Sequence, residues 1–93
     1  MDARRGAVSL DRLSLSRGFV LTLKGVDQAV RERCMAVAVA LAEEHPALPG
    51  ALDAAVRLDP VGLCWAREVP GTIWSVLYTV GARTVFVRSI NAL

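Results

Sequence analysis

The sequence predicts an α+β fold in which one or two N-terminal helices pack on a three- to four-stranded antiparallel sheet, the last three strands forming a meander. Three observations carry this expectation. Across residues 27–44, Val30, Cys34, Val37 and Leu41 recur at steps of four, three and four, which puts them on one helical stripe. After Pro60 come three runs rich in Val, Ile, Trp, Tyr, Phe and Thr, parted by Pro70-Gly71 and Gly81-Ala82. At 93 residues and 10.0 kDa, finally, the chain has room for one core.

Residues 1–7 are expected to be a flexible tail and residues 8–93 a single α+β domain. In residues 7–16, Val8, Leu10, Leu13 and Leu15 alternate well enough for a short strand. Residues 16–26 read two ways. Phe19, Val20, Leu21, Thr22 and Leu23 favour a strand, whereas a Ser16 cap would place Phe19, Leu23 and Val26 on one face of a helix. Residues 27–44 read as an amphipathic helix with Asp27 as N-cap. Ala36, Ala38, Ala40 and Ala42 favour helix and permit close approach to a sheet, and Pro46 ends the run. Residues 48–59, bracketed by Pro49 and Pro60, fit a short helix through Ala51, Leu52, Ala54, Ala55 and Val56.

The three strands are expected over residues 63–69, 73–80 and 84–90. Gly81 as the first central residue of a type II′ turn would set Val80 opposite Arg83. Along the middle strand, Trp74, Val76, Tyr78 and Val80 point one way, and Ile73, Ser75, Leu77 and Thr79 point the other. Both faces are fairly apolar. One is expected to lie on the long helix, the other to receive a ligand or a second chain.

Composition excludes several classes. Hydrophobic residues make up 54% of the chain, and mean hydropathy is +0.42, which is incompatible with intrinsic disorder. The longest uncharged apolar stretch, residues 35–42, is far short of the about twenty residues of a spanning helix, and the polar start has no secretory pattern, so a cytoplasmic location is expected. Cys34 and Cys64 sit in apolar runs and read as buried thiols. With one histidine beside them, neither a metal site nor a cofactor is expected. The net charge of +2 comes from ten arginines and Lys24 against nine acids, and no basic block stands out beyond Arg4-Arg5 and the Arg31/Arg33 pair.

A helix that opens V-R-E-R and ends Glu-Glu-His-Pro, followed by G-L-C-W-A-R-E-V, I-W-S-V-L-Y-T-V and T-V-F-V-R-S-I, resembles the RelE/ParE toxin superfamily. Trp74, Val76, Leu77, Tyr78 and Val80 match that family's middle strand, and the likeness runs over about residues 8–91. The resemblance implies a strand, one or two helices and an antiparallel meander, which favours the helical reading of residues 16–26. It implies a toxin of a bacterial toxin-antitoxin pair, with an antitoxin as protein partner and the ribosome with its RNA, or gyrase, as target. In the RelE-like branch, basic side chains on the sheet hold RNA and stabilise the scissile phosphate. Here Ser75 stands where that branch has an arginine, Cys64, Trp65, Ala66 and Arg67 replace its lysine-rich strand, and the sequence stops at Leu93 before a basic, aromatic tail. These departures count against ribonuclease chemistry, and no catalytic residue is assigned.

The candidate binding residues are Arg67, Trp74, Tyr78, Arg83 and Arg88. Arg67, Arg83 and Arg88 fall on neighbouring strands and are candidates for a shared anion site, although alternation puts Arg83 and Arg88 on opposite faces. Arg88, expected between Phe86 and Ile90 on one face, is the strongest of the three. Trp65 and Trp74 are candidates for stacking on bases, with core packing the commoner role. His45, next to Glu43 and Glu44 at a helix end, fits a favourable cation at a helix C-terminus. The alternative to a toxin-like protein is a non-enzymatic interaction module that covers its apolar face by forming a homodimer.

Overall fold

The computed structural model describes residues 13–44, 53–59 and 61–93. Its elements run β1 (Leu13–Leu15), α1 (Arg17–Leu23), α2 (Gln28–Glu43), β2 (Ala54–Leu58), β3 (Gly62–Glu68), β4 (Trp74–Gly81) and β5 (Thr84–Ala92). The strands form one five-stranded sheet in the order β1-β5-β4-β3-β2. From β2 to β5 every neighbouring pair is antiparallel, whereas β1 lies parallel to β5, with Leu13 opposite Val85 and Leu15 opposite Val87. The expected tail at residues 1–7, residues 8–12 of the first strand, and His45 lie outside the described residues.

The local chemistry of the helical layer explains its shape. Ser16 has extended backbone angles, and its Oγ accepts the Phe19 N–H at 3.1 Å, which starts α1. The same Oγ donates to the Arg88 carbonyl at 2.6 Å, and the Ser16 N–H donates to the Val87 carbonyl, so the cap also ties α1 to β5. Asp27 occupies the N-cap position of α2 but its side chain makes no capping bond. Arg31 does more at this corner: its Nε donates to the Leu23 carbonyl, which also accepts the Val26 N–H, and its Nη2 donates to the Val26 carbonyl, tying down the chain where α1 ends.

Both helices pack on one face of the sheet. Phe19 and Leu23 of α1 and Cys34, Ala38 and Leu41 of α2 meet Val76 and Tyr78 of β4, Val85, Val87 and Ile90 of β5, and Val69. The fully buried Ala38 keeps α2 close to the strands. The Trp74, Val76, Tyr78 and Val80 row is therefore the helix-facing one, a choice the alternation alone left open. Both cysteines are buried and unbridged.

Four expectations change. The segment read as a helix over residues 48–59 is a strand at Ala54–Leu58, its alanines paired with β3 from Ala54 opposite Ala66 to Leu58 opposite Gly62; residues 48–52 lie outside the described set. The sheet is larger than three or four strands and is mixed, because β1 runs parallel to its neighbour. The last hairpin turns one residue later than expected. Ala82 and Arg83 hold positive φ values of 50° and 64°, Gly81 faces Thr84, and Val80 faces Val85 rather than Arg83, the arrangement of a type I′ rather than a type II′ turn. Lastly, β5 is irregular. Tyr78 faces Val87 while Leu77 faces Ser89, so Arg88 is an extra residue with no opposite number, a β-bulge. Beyond it the inward positions move from Val85 and Val87 to Ile90, which separates Arg88 from the face that Ile90 occupies.

Candidate functional site

The candidate residues divide between the two faces. On the helix-facing side, Arg67 of β3 and Tyr78 of β4 meet through Asp53, which directly precedes β2. Arg67 Nε donates to Asp53 Oδ1 at 3.0 Å and Nη2 to Oδ2 at 3.2 Å, while Nη1 donates to both oxygens of Glu44 at 2.9 and 2.8 Å. The Tyr78 hydroxyl donates to Asp53 Oδ2 in a short hydrogen bond. The Asp53 side chain is 3% exposed and that of Arg67 25%. Burial works against the charged guanidinium, but the hydrogen bonds and negative charges of Asp53 and Glu44 outweigh it and hold its pKa above the ordinary arginine value. The network ties the end of α2 and the entry to β2 onto the middle of the sheet. Arg67 is consumed by two carboxylates there.

Arg88 lies on the opposite face. The bulge turns its side chain across the sheet, where Nε donates to Thr79 Oγ1 at 3.0 Å and the guanidinium carbon sits 5.2 Å from the centre of the Phe86 ring. Its charge also reaches Cys64. Burial pushes that thiol up, and Arg88 offsets part of the rise. Arg83 is exposed in the β4-β5 turn. The three strand arginines therefore do not converge: Arg67 serves the helix side, Arg88 the helix-free side, and Arg83 neither.

No described helix or strand covers the helix-free face. Its centre is apolar, with Cys64, Ala66 and Leu77 buried. At the end towards the β3-β4 turn, three polar residues align across the strands: Glu68 faces Ser75, and Ser75 faces Asn91. An open cleft of about 940 Å³ runs along this end, lined by Glu68, Ser75, Ile73, Trp74 and Leu93 and, at its helix side, by Glu44, Asp53 and Arg67. Trp74 is a half-buried wall of this cleft that also packs on the core. Trp65 packs against the core as well.

Sequence reasoning missed Asp53, Glu44, Glu68 and Asn91. Asp53 and Glu44 are far from Arg67 in sequence, and only the fold brings them to it. The Glu68-Ser75-Asn91 row had a legible signal in the alternation of β3 and β4, but its β5 member depends on the bulge. Among the described residues no group of His, Cys, Asp or Glu converges as a metal site, and no helix is long and apolar enough to cross a membrane. Comparison with protein-family models, curated proteins and solved structures finds no match to this chain.

Proposed function

We propose that the chain is a toxin-like component of a bacterial toxin-antitoxin pair, acting by binding an antitoxin and a macromolecular target and not by cutting RNA. The observation that carries this reading is the order of elements, a strand and two helices followed by an antiparallel run of strands. In outline it agrees with what the RelE/ParE resemblance implies, with β2 an additional strand and β1 parallel to β5, and a helix or strand from an antitoxin would dock on the sheet. Arg88 is the cation of the helix-free face among the described sheet residues, and it belongs to the surface that meets the target.

The same geometry argues against cleavage. Charge on a pentacoordinate phosphate needs several preorganised cations. Arg67 is held by Asp53 and Glu44, Arg83 is remote in a turn, and Ser75 replaces the middle-strand arginine. Induced expression in a bacterial host tests the reading: growth stops while bulk messenger RNA keeps its length. Arrest accompanied by site-specific RNA cuts made by the purified protein would restore the enzymatic reading.

One observation favours a second reading. Among the described residues β2 is an outer strand with no neighbour beyond it, and an open edge is a template for strand addition. A self-associating module would use it to form a homodimer. Light scattering at twice the 10.0 kDa chain mass, together with unimpaired growth, supports that alternative.

A further inference from the structure

The centre of the helix-free face is sealed from water, although no described helix or strand lies over it. Leu77 and Cys64 are 0% exposed and Ala66 is 6% exposed. The neighbours of Leu77 on this face are too small to bury it: Ser75 and Thr79 flank it along β4, and Ala66 and Ser89 stand opposite it on β3 and β5. Arg88 bends towards Thr79, on the far side of Leu77 from Ser75, so it does not roof this stretch. A leucine on a bare sheet face stays in contact with water. Another part of this same chain therefore lies on it.

Two stretches of more than one residue lie outside the described set, 1–12 and 45–52. The second is tethered on the wrong side of the sheet. Glu44 and Asp53, which bracket it, both bond the guanidinium of Arg67 on the helix-facing side. Residues 1–12 lead into β1, and β4 is the second strand in from it, about 10 Å across the sheet, whereas twelve extended residues span up to about 40 Å. The segment also has the chemistry, since Val8 and Leu10 are two positions apart and share one side of an extended chain. Ser14 on β1 and Ala54 on β2 are exposed at the two edges of the same face, so the cover is a narrow strip over the central strands, as one segment would make.

We propose that residues 1–12 cross the centre of the helix-free face as a built-in cover, with Val8 and Leu10 packed over Leu77 and Ala66, so that a partner reaches this part of the sheet only by displacing them. The proposal goes beyond the toxin reading and stands without it. A tethered segment competes at an effective concentration on the order of millimolar, so a weak ligand gains no hold on the covered strip and a tight-binding one does.

Cys64, beneath the cover, is the reporter. In the full chain with Cys34→Ala, so that one thiol is read, Cys64 is expected to resist an aromatic disulfide reagent without denaturant. Adding Val8→Asp and Leu10→Asp puts charge against Leu77, and Cys64 then reacts about tenfold faster or more while the amides of α2 keep their hydrogen-exchange protection. A Cys64 that stays as slow in that folded variant would overturn the proposal. The unmodified chain gives a second readout that no loss of folding can blur: nuclear Overhauser effects between the methyl groups of residues 1–12 and those of Leu77. Their absence overturns the proposal, and so does finding them only between labelled and unlabelled chains in a mixed sample, which would make a second copy the cover. Neither readout depends on growth arrest, so this inference and the toxin reading fail separately.

Discussion

Arg67 grips Asp53 through two parallel N–H···O bonds, and this pair joins two segments 14 positions apart in sequence. Because the same carboxylate accepts the Tyr78 hydroxyl, removing it takes a shared acceptor from both residues at once. Asp53→Ala is expected to lower unfolding free energy by about 2–4 kcal/mol in urea titrations. Glu44 is half exposed, so Glu44→Gln costs less than about 1 kcal/mol. Equal losses for the two variants would contradict the assignment of Asp53 as the central acceptor.

Ser16 performs two tasks with one hydroxyl, capping α1 and bonding the carbonyl of the bulged Arg88. Ser16→Ala is expected to cost about 1–2 kcal/mol. Hydrogen exchange provides the finer readout, with faster exchange in α1 and around Arg88 and unchanged protection in β3.

The β4-β5 turn is built with residues poorly suited to it. Ala82 and Arg83 both adopt left-handed backbone angles that Asn and Gly take more readily. Exchanging them together, Ala82→Asn with Arg83→Gly, raises stability by about 1–2 kcal/mol. A loss of stability in thermal or urea melts would mean that the hairpin has the earlier turn read from sequence.

Burial pushes the thiols of Cys34 and Cys64 above the ordinary value of 9.0. A raised folded pKa means that the folded state holds the proton more tightly than the unfolded chain does. The resulting stability is fully present below the unfolded thiol pKa and is lost as pH rises through the folded values. Unfolding midpoints should therefore fall above about pH 9, less so in Cys34→Ala. At neutral pH both thiols should react with an aromatic disulfide reagent only when denaturant is added.

Much of the scaffold was legible before the coordinates. The stripe of Cys34 and Leu41 located α2, the Ser16 cap combined with the family resemblance located α1, and the β-branched runs located β3, β4 and β5. What escaped has physical causes. In β2 the alanines favour helix intrinsically, and only the ladder to β3 overrides that preference. The parallel placement of β1 depends on contacts more than 70 positions away, as in the Ser16 bond to Arg88. The bulge at Arg88 breaks a strict two-residue alternation, so the residue expected beside Ile90 ends up over Thr79 and Phe86. Of the candidate site, Arg67 and Tyr78 do come together, but through the unforeseen Asp53, whose carboxylate occupies the guanidinium expected to bind an external anion.

The claim that the helix-free face with Arg88 acts on a cellular target is tested most directly by the growth rate of a bacterial culture after induction of the chain, with Arg88→Ala run alongside and its folding verified. Wild type is expected to halt division and Arg88→Ala to do so less completely. A wild-type culture that keeps doubling like the empty-vector control, at equal levels of soluble protein, would contradict the account.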